Sequence, residues 1–385
     1  MIAANPSSIW PPHRRRLLVL ALSFVSLPLH AATFCVATNG TNTASGGFST
    51  PWATISRAAS TMNAGDTALI RAGTYRETVT PAHSGSSTSS RITYQAYPGE
   101  TPVISGADVF ANWTWDTSGS PNAWKLPWTT NLAPSITNAS TDPTVLRREM
   151  VIFDSQVMLP VGSRAALAAG DFYVDGPPTN PLAIYALFPG NVAPAGHVVE
   201  AATRSHAFDG SSKNYLVING LTFRYACNVV QDLMVQIDGS VTGVLFENNT
   251  VEWANAGGLS AAGNNNIFSN NVVQNNGQLG FADSGSNNLY DHNKSLGNNW
   301  KGYDAGWEAG GGKWVYTTSS TIRFHEAGNN IGPGIWLDTD NVNNLIEKCL
   351  VYSNTGSGIF LKLNSTGNTV RNNVVCATRF TPNYP

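Results

Sequence analysis

Short apolar runs recur along the second half of the chain at a nearly fixed step, and the polar residues between them recur with them. Asn249, Asn271, Asn293, His325, Cys349 and Asn373 form one column, with steps of 22, 22, 32, 24 and 24 residues. Nine residues further on, Gly258, Gly280, Gly302, Gly334 and Gly358 form a second, with steps of 22, 22, 32 and 24. Two columns sharing one spacing and one long step mark a solenoid of roughly 22–24 residues per coil. In each unit a glycine opens an alternating strand, an Asn/Gly/Thr-rich turn follows, and a second strand ends in Asn-Asn. In the runs Gly334-Ile335-Trp336-Leu337-Asp338 and Gly358-Ile359-Phe360-Leu361-Lys362, the period of two sends Ile335, Leu337, Ile359 and Leu361 inward. The same period sends Trp336, Asp338, Phe360 and Lys362 outward. Runs this short, without helical periodicity, predict parallel strands stacked on their own copies, an all-β parallel β-helix.

The asparagine column predicts side chains stacked inside turns, bonding one another and the backbone of the next coil. His325 and Cys349 interrupt it. His325 reads first as structural, its place beside the long coil being the one argument for function.

Ahead of the coils the pattern changes twice. Residues 1–32 read as an export signal: His13, Arg14, Arg15 and Arg16 give a positive start, residues 17–27 an apolar run too short to span a bilayer, and Ala31 and Ala32 a cleavage site. The expected destination is secreted or periplasmic, with no membrane attachment after cleavage, as a monomer. Residues 33–108 form an entry module of an N-terminal cap and first coils, with a short helix expected at 56–62. Residues 109–205 break the period with Trp113, Trp115, Trp124, Trp128 and many prolines, and read as a β-rich insertion. Regular coils fill residues 206–385. After the strand at 369–375 no amphipathic capping segment follows, so residues 376–385 are expected to cap poorly or the chain to stop short of a full-length relative.

Composition narrows the partners. Charged residues are 12% of the chain and the net charge is −2, which excludes the basic face that nucleic acid requires. Weak charge with 10% aromatics suits an extracellular protein meeting neutral or anionic sugars, that is, a polysaccharide or oligosaccharide. Cys35, Cys227, Cys349 and Cys376 lie far apart with no CxxC or Cys/His cluster, so zinc is not expected; disulfides and buried free thiols both remain open.

The entry module, with Pro51-Trp52-Ala53-Thr54-Ile55, Ala64-Gly65-Asp66-Thr67, Arg71-Ala72-Gly73-Thr74-Tyr75-Arg76-Glu77 and Tyr97-Pro98-Gly99-Glu100, resembles the start of many secreted β-helix proteins of the pectate-lyase-like superfamily. The stretch 302–362 is similar to an uncharacterised bacterial branch of right-handed β-helix repeat proteins. This resemblance covers about residues 34–375. It implies a right-handed single-stranded parallel β-helix, and leaves the reaction open, because the superfold hosts lyases, hydrolases, epimerases and non-enzymes.

The step of 32 is where chemistry is expected. Some ten extra residues carry Lys301, Asp304, Trp307, Glu308 and Lys313 in a chain otherwise poor in charge, and extra loop residues on a rigid solenoid are where binding groups are usually placed. The next coils add outward Asp338 and Lys362, with Trp336 before Asp338 and Asp340 after it. All are expected to converge on one groove walled by Trp307 and Trp336. Resemblance to the pectate lyases makes Lys313 the base that abstracts a proton alpha to a sugar carboxylate, with calcium on aspartates neutralising that carboxylate. The activity it implies is β-elimination in a uronic-acid-containing polysaccharide. The pattern departs from those lyases, since only Asp338, Asp340 and one of Asp304 or Glu308 are available for calcium. The register of Lys313 is ambiguous, both Gly302 and Gly312 fitting the coil. Two alternatives stand beside the lyase: a glycoside hydrolase with Glu308 as acid and Asp338 as base or nucleophile, and a non-catalytic glycan-binding or surface β-helix protein.

Overall fold

The computed structural model describes residues 31–133, 138–363 and 366–378; residues 1–30 of the expected export signal lie outside the described residues. Three long parallel sheets, of ten, nine and seven strands, run the length of the solenoid. Each regular coil visits them in that order. Leu245–Glu247 lies in the ten-stranded sheet, Thr250–Glu252 in the nine-stranded and Gly257–Ala261 in the seven-stranded, before Ile267–Ser269 starts the next coil.

The first corner shows why asparagine recurs. Asn248, Asn270, His292, Phe324, Lys348 and Asn372 all adopt left-handed φ between 50° and 57°. That region is several-fold enriched in Asn and His, and Phe324 and Lys348 sit there only because the repeat imposes it. The next residue, where it is asparagine, turns its amide inward to the neighbouring coil. Asn271 Oδ1 accepts the Asn249 N–H at 2.9 Å, and Asn293 Oδ1 accepts the Asn271 N–H at 3.0 Å. The amide groups of Asn271 and Asn293 donate in turn to Phe246 O and Phe268 O, each at 2.8 Å. Asn373 does the same for the Cys349 N–H, at 2.8 Å. Two further ladders follow the same rule, through Asn276, Asn298, Asn330 and Asn354 and through Asn266, Asn288, Ser320, Asn344 and Asn368. Buried backbone N–H groups at the corners are thereby satisfied without water.

Inside, Phe223, Phe246, Phe268 and Tyr290 stack rung on rung, with ring centroids 5.3–6.3 Å apart. The short helix lies at Ile55–Thr61, capped by Thr54, and buries Ile55, Ala58 and Ala59 in this core. The chain leaves the solenoid once. Ile92–Ala96 pairs directly with Leu216–Asn219, and Pro102–Ser105 with Thr222–Arg224, so the residues between them are a departure from the stack. They build a four-stranded antiparallel sheet and a five-stranded, mostly antiparallel one. These share a core of Trp113, Trp128, Phe153 and Phe188 that reaches the coils at Tyr225 and Cys227.

All four cysteines are free thiols; Cys35, Cys227 and Cys349 are buried and Cys376 is exposed. Leu361, expected inward, is 46% exposed, because Ile359–Lys362 is the end strand of its sheet among the described residues. Among the described residues no helix is long and apolar enough to cross a membrane.

Candidate active site

Strand register settles where the long coil rejoins the repeat. Leu279 pairs with Gly310, Phe281 with Gly312, and Lys313 with Trp336, which makes Gly311 the partner of Gly280 and Gly334. Gly302 is thus not in the glycine column; it lies exposed in the loop at φ 79°. A Cβ on Gly311 would stand 2.3 Å from the Gly334 carbonyl, so close stacking enforces glycine there. Gly312 faces inward, where the Trp314 ring fills its space. Lys313 therefore faces outward, beside Ala282 and Trp336.

There it meets the carboxylates. Lys313 Nζ is 3.0 Å from Asp338 Oδ2 and 3.7 Å from Glu308 Oε2, and it donates to Trp307 O at 3.2 Å. Its ammonium stands 4.5 Å from the centre of the Trp336 ring, and Lys362 Nζ lies 5.5 Å from the same ring. Trp336 is on the outward face as the period of two requires, yet it is fully buried, covered by these cations and by Phe360 at 5.3 Å. The side chains of Lys313, Asp338 and Glu308 are only 11%, 9% and 18% exposed. In so sheltered a place each charge depends on its partner.

Glu308 reaches the sheet because the loop folds back. Asp304 caps the turn Ala305–Glu308, its carboxylate accepting the Gly306 N–H at 2.8 Å. Gln278 Nε2 holds Glu308 O at 2.7 Å, and the Gln231 side-chain amide donates to Glu308 Oε2. The insertion braces the loop from the other side. Asp304 N–H donates to Ala139 O at 2.9 Å, and Trp307, Tyr303 and Ala309 pack with Val145 and Val230.

Four expectations about the groove are corrected. Lys301 turns away toward the insertion, donating to Arg147 O and Asn255 Oδ1 at 2.6 Å each, and burial pushes its amine down to about 7. Asp304 is spent on its cap and on the wall against the insertion. The Trp307 side chain is packed in the apolar cluster beside it and only its carbonyl meets Lys313. Asp340 is exposed, because the left-handed residues Thr339 and Asp340, at φ 58° and 53°, carry it off the sheet face. Glu308, Lys313, Asp338, Trp336 and Lys362 do come together. Gln231 and Gln278, which no periodicity marks, were missed.

The residues do not fit a calcium site. Among the described residues no three His, Cys, Asp or Glu side chains are grouped as metal ligands, and the Asp338 carboxylate already faces an ammonium. His325 is structural: it is buried against Phe281 and Trp314 with neither ring nitrogen bonded, and burial lowers its pKa to about 4.

A family model described as the right handed beta helix region matches residues 234–380. Among solved structures, XylC in complex with xylose is similar at a TM-score of 0.70 and 20% identity, covering 91% of this chain and 70% of that one. A glycoside hydrolase follows at a TM-score of 0.54 and 10% identity, covering 89% and 96%. The pectate lyase Pel9A, at a TM-score of 0.40 and 16% identity over 89% and 78%, is too remote to carry an argument. No curated protein sequence matches the chain. The fold is a right-handed parallel β-helix. At these identities the likeness shows that fold alone.

Proposed function

We propose that the protein is an exported, carbohydrate-active enzyme that hydrolyses glycosidic bonds with the carboxylates of Glu308 and Asp338. The observation that carries this reading is the meeting of both carboxylates on one ammonium, over a buried aromatic floor, at the one coil where the repeat is broken. A glycoside hydrolase needs two such groups across one bond, one to protonate the leaving oxygen and one to act as base or nucleophile. Glu308, on the loop, takes the acid role; Asp338, fixed on a strand, takes the second. Lys313 holds the two carboxylates at the sheet face. Of the two neighbours with TM-scores above 0.5, one holds xylose and the other is named a glycoside hydrolase, which supports a carbohydrate ligand.

Elimination by Lys313 is the weaker reading. Its amine donates to a carbonyl and is flanked by two carboxylates, an arrangement suited to an ion pair rather than to a base with an open lone pair. Among the described residues no group of three His, Cys, Asp or Glu side chains stands ready for the calcium of a lyase site.

The test is to incubate the protein with a panel of neutral and uronate oligosaccharides, with and without calcium, and to analyse the products. Hydrolysis gives new reducing ends with no ultraviolet-absorbing unsaturation. Unsaturated products would assign elimination instead, and binding without turnover would make the protein a glycan-binding module.

A further inference from the structure

A second polar cluster lies on the same sheet edge as Glu308. The chain returns from the insertion through Phe208–Asp209, the first strand of the seven-stranded sheet, with Phe208 paired to Val235 and Asp209 to Gln236. That register sets His206 beside the start of strand Leu233–Ile237, where Asp232 stands. His206 Nε2 is 2.9 Å from both oxygens of Asp232. Asp232 Oδ1 also accepts the Leu233 N–H at 3.0 Å and the Gln236 side-chain amide, so its orientation is fixed. A carboxylate held this way fixes which imidazole nitrogen carries its proton inward. His206 Nδ1 has no hydrogen-bond partner among the described residues, and the side chain is 27% exposed. This half-buried histidine is oriented by a carboxylate and has one nitrogen unengaged among the described residues.

The cluster is continuous with the candidate active site. Gln231, adjacent to Asp232, takes Gln278 Oε1 on its N–H at 2.9 Å and gives its side-chain amide to Glu308. Between the two clusters the outward column of the sheet runs Gln236, Ser260, Ala282, Lys313. Two small side chains form a floor between polar ends. Gln236 and Lys313 are three rungs apart, about 14 Å at the ordinary strand spacing. That is the span of an oligosaccharide, not of a single sugar. Carboxylates outnumber cations along this edge, with Asp209, Asp232, Glu308 and Asp338 against Lys313, Lys362 and His206, which disfavours a uronate chain.

We propose that His206, positioned by Asp232 and Gln236, is a remote subsite of the groove whose Nδ1 meets a hydroxyl of the bound sugar, so that the groove takes a neutral oligosaccharide of several units. The location of cleavage at the far end rests on the hydrolase reading; the binding itself does not.

The experiment is calorimetric titration of the full chain carrying Asp338→Asn, to stop turnover, with xylose, xylotriose and xylotetraose as neutral probes and oligogalacturonate as the anionic one. Adding His206→Ala should weaken tri- and tetrasaccharide binding at least tenfold and leave any binding of xylose unchanged. His206→Asn, which returns an amide near Nδ1, should restore part of the loss. Gln236→Ala serves as a second probe should His206→Ala fail to fold, and is expected to weaken the same ligands. Equal oligosaccharide affinity with and without His206 would overturn the proposal, as would preference for oligogalacturonate or binding of none of the probes. A wild type that binds xylotetraose through His206 but never cleaves it would refute the hydrolase reading alone.

Discussion

The coils between Leu245 and Asn299 and the long coil that follows solve one problem in opposite ways. In the regular coils the corner amides are matched by copies one step away, Asn271 serving Asn249 and Asn293 serving Asn271. In the long coil the partners are strangers. Lys301 bonds Arg147 and Asn255, Asp304 bonds Ala139, and Glu308 is held by Gln231 and Gln278. Repetition makes a rigid scaffold cheaply, but it cannot create a unique arrangement of charges. The unique arrangement arises where the repeat is interrupted and a distant part of the chain braces the interruption. Buried charge sharpens the contrast. Lys313 pairs with both Glu308 and Asp338, whereas Asp283, inward on the preceding coil, has no cation beside it among the described residues.

That last difference gives the largest expected effect. Burial raises the Asp283 pKa from 3.8 to about 8, and the Tyr290 and Asn288 side chains offset this only in part. The folded state therefore binds a proton that the unfolded chain has released. Its stability contribution is full below pH 3.8 and is lost as pH rises through about 8, at ~1.4 kcal/mol per pH unit. Asp283→Asn should flatten this slope and stabilise the protein by several kcal/mol at the alkaline end, as read by denaturant unfolding across pH. His325 acts at the other end: its pKa falls from 6.5 to about 4, so stability present above 6.5 is lost as pH drops toward 4.

Next in size is the ladder itself. Asn271→Ala removes the acceptor for Asn249 N–H and the donor to Phe246 O, and should cost about 3–4 kcal/mol in unfolding free energy. Lys313→Met strands two sheltered carboxylates and should cost about 3 kcal/mol. Restoring neutrality with Glu308→Gln and Asp338→Asn in the same chain should recover most of it. At the small end, Arg323→Ala breaks only the surface pair with Asp291 and should change stability by less than ~1 kcal/mol.

Periodicity made the repeating part of the molecule legible. The column of Asn249, Asn271, Asn293 and Asn373 gave the coil and its corner ladder, and the same 22-, 32- and 24-residue steps through Asn276, Asn298, Asn330 and Asn354 stood in the sequence unremarked. The outward placement of Trp336, Asp338 and Lys362 followed from alternation. The long coil was legible as a place but not as a shape. Gly302 and Gly312 both offered a glycine, and strand pairing chooses neither, putting Gly311 in the column. Lys301 and Asp304 turn toward residues some 150 positions earlier in the chain, for which a one-dimensional pattern carries no signal. Gln231, Gln278 and His206 were invisible for the same reason, each occurring once in its column.

The account depends most on Glu308 and Asp338 acting as a pair. The direct measurement is kcat on a neutral oligosaccharide cleaved by the wild type, compared with Glu308→Gln and Asp338→Asn, each confirmed folded by circular dichroism. The expected result is a loss of at least ~10²-fold in kcat for each variant, the range found when a positioned acid or base is removed, with reducing ends as the only product in the wild type. Wild-type turnover in both variants would contradict the account and place the chemistry elsewhere on the solenoid.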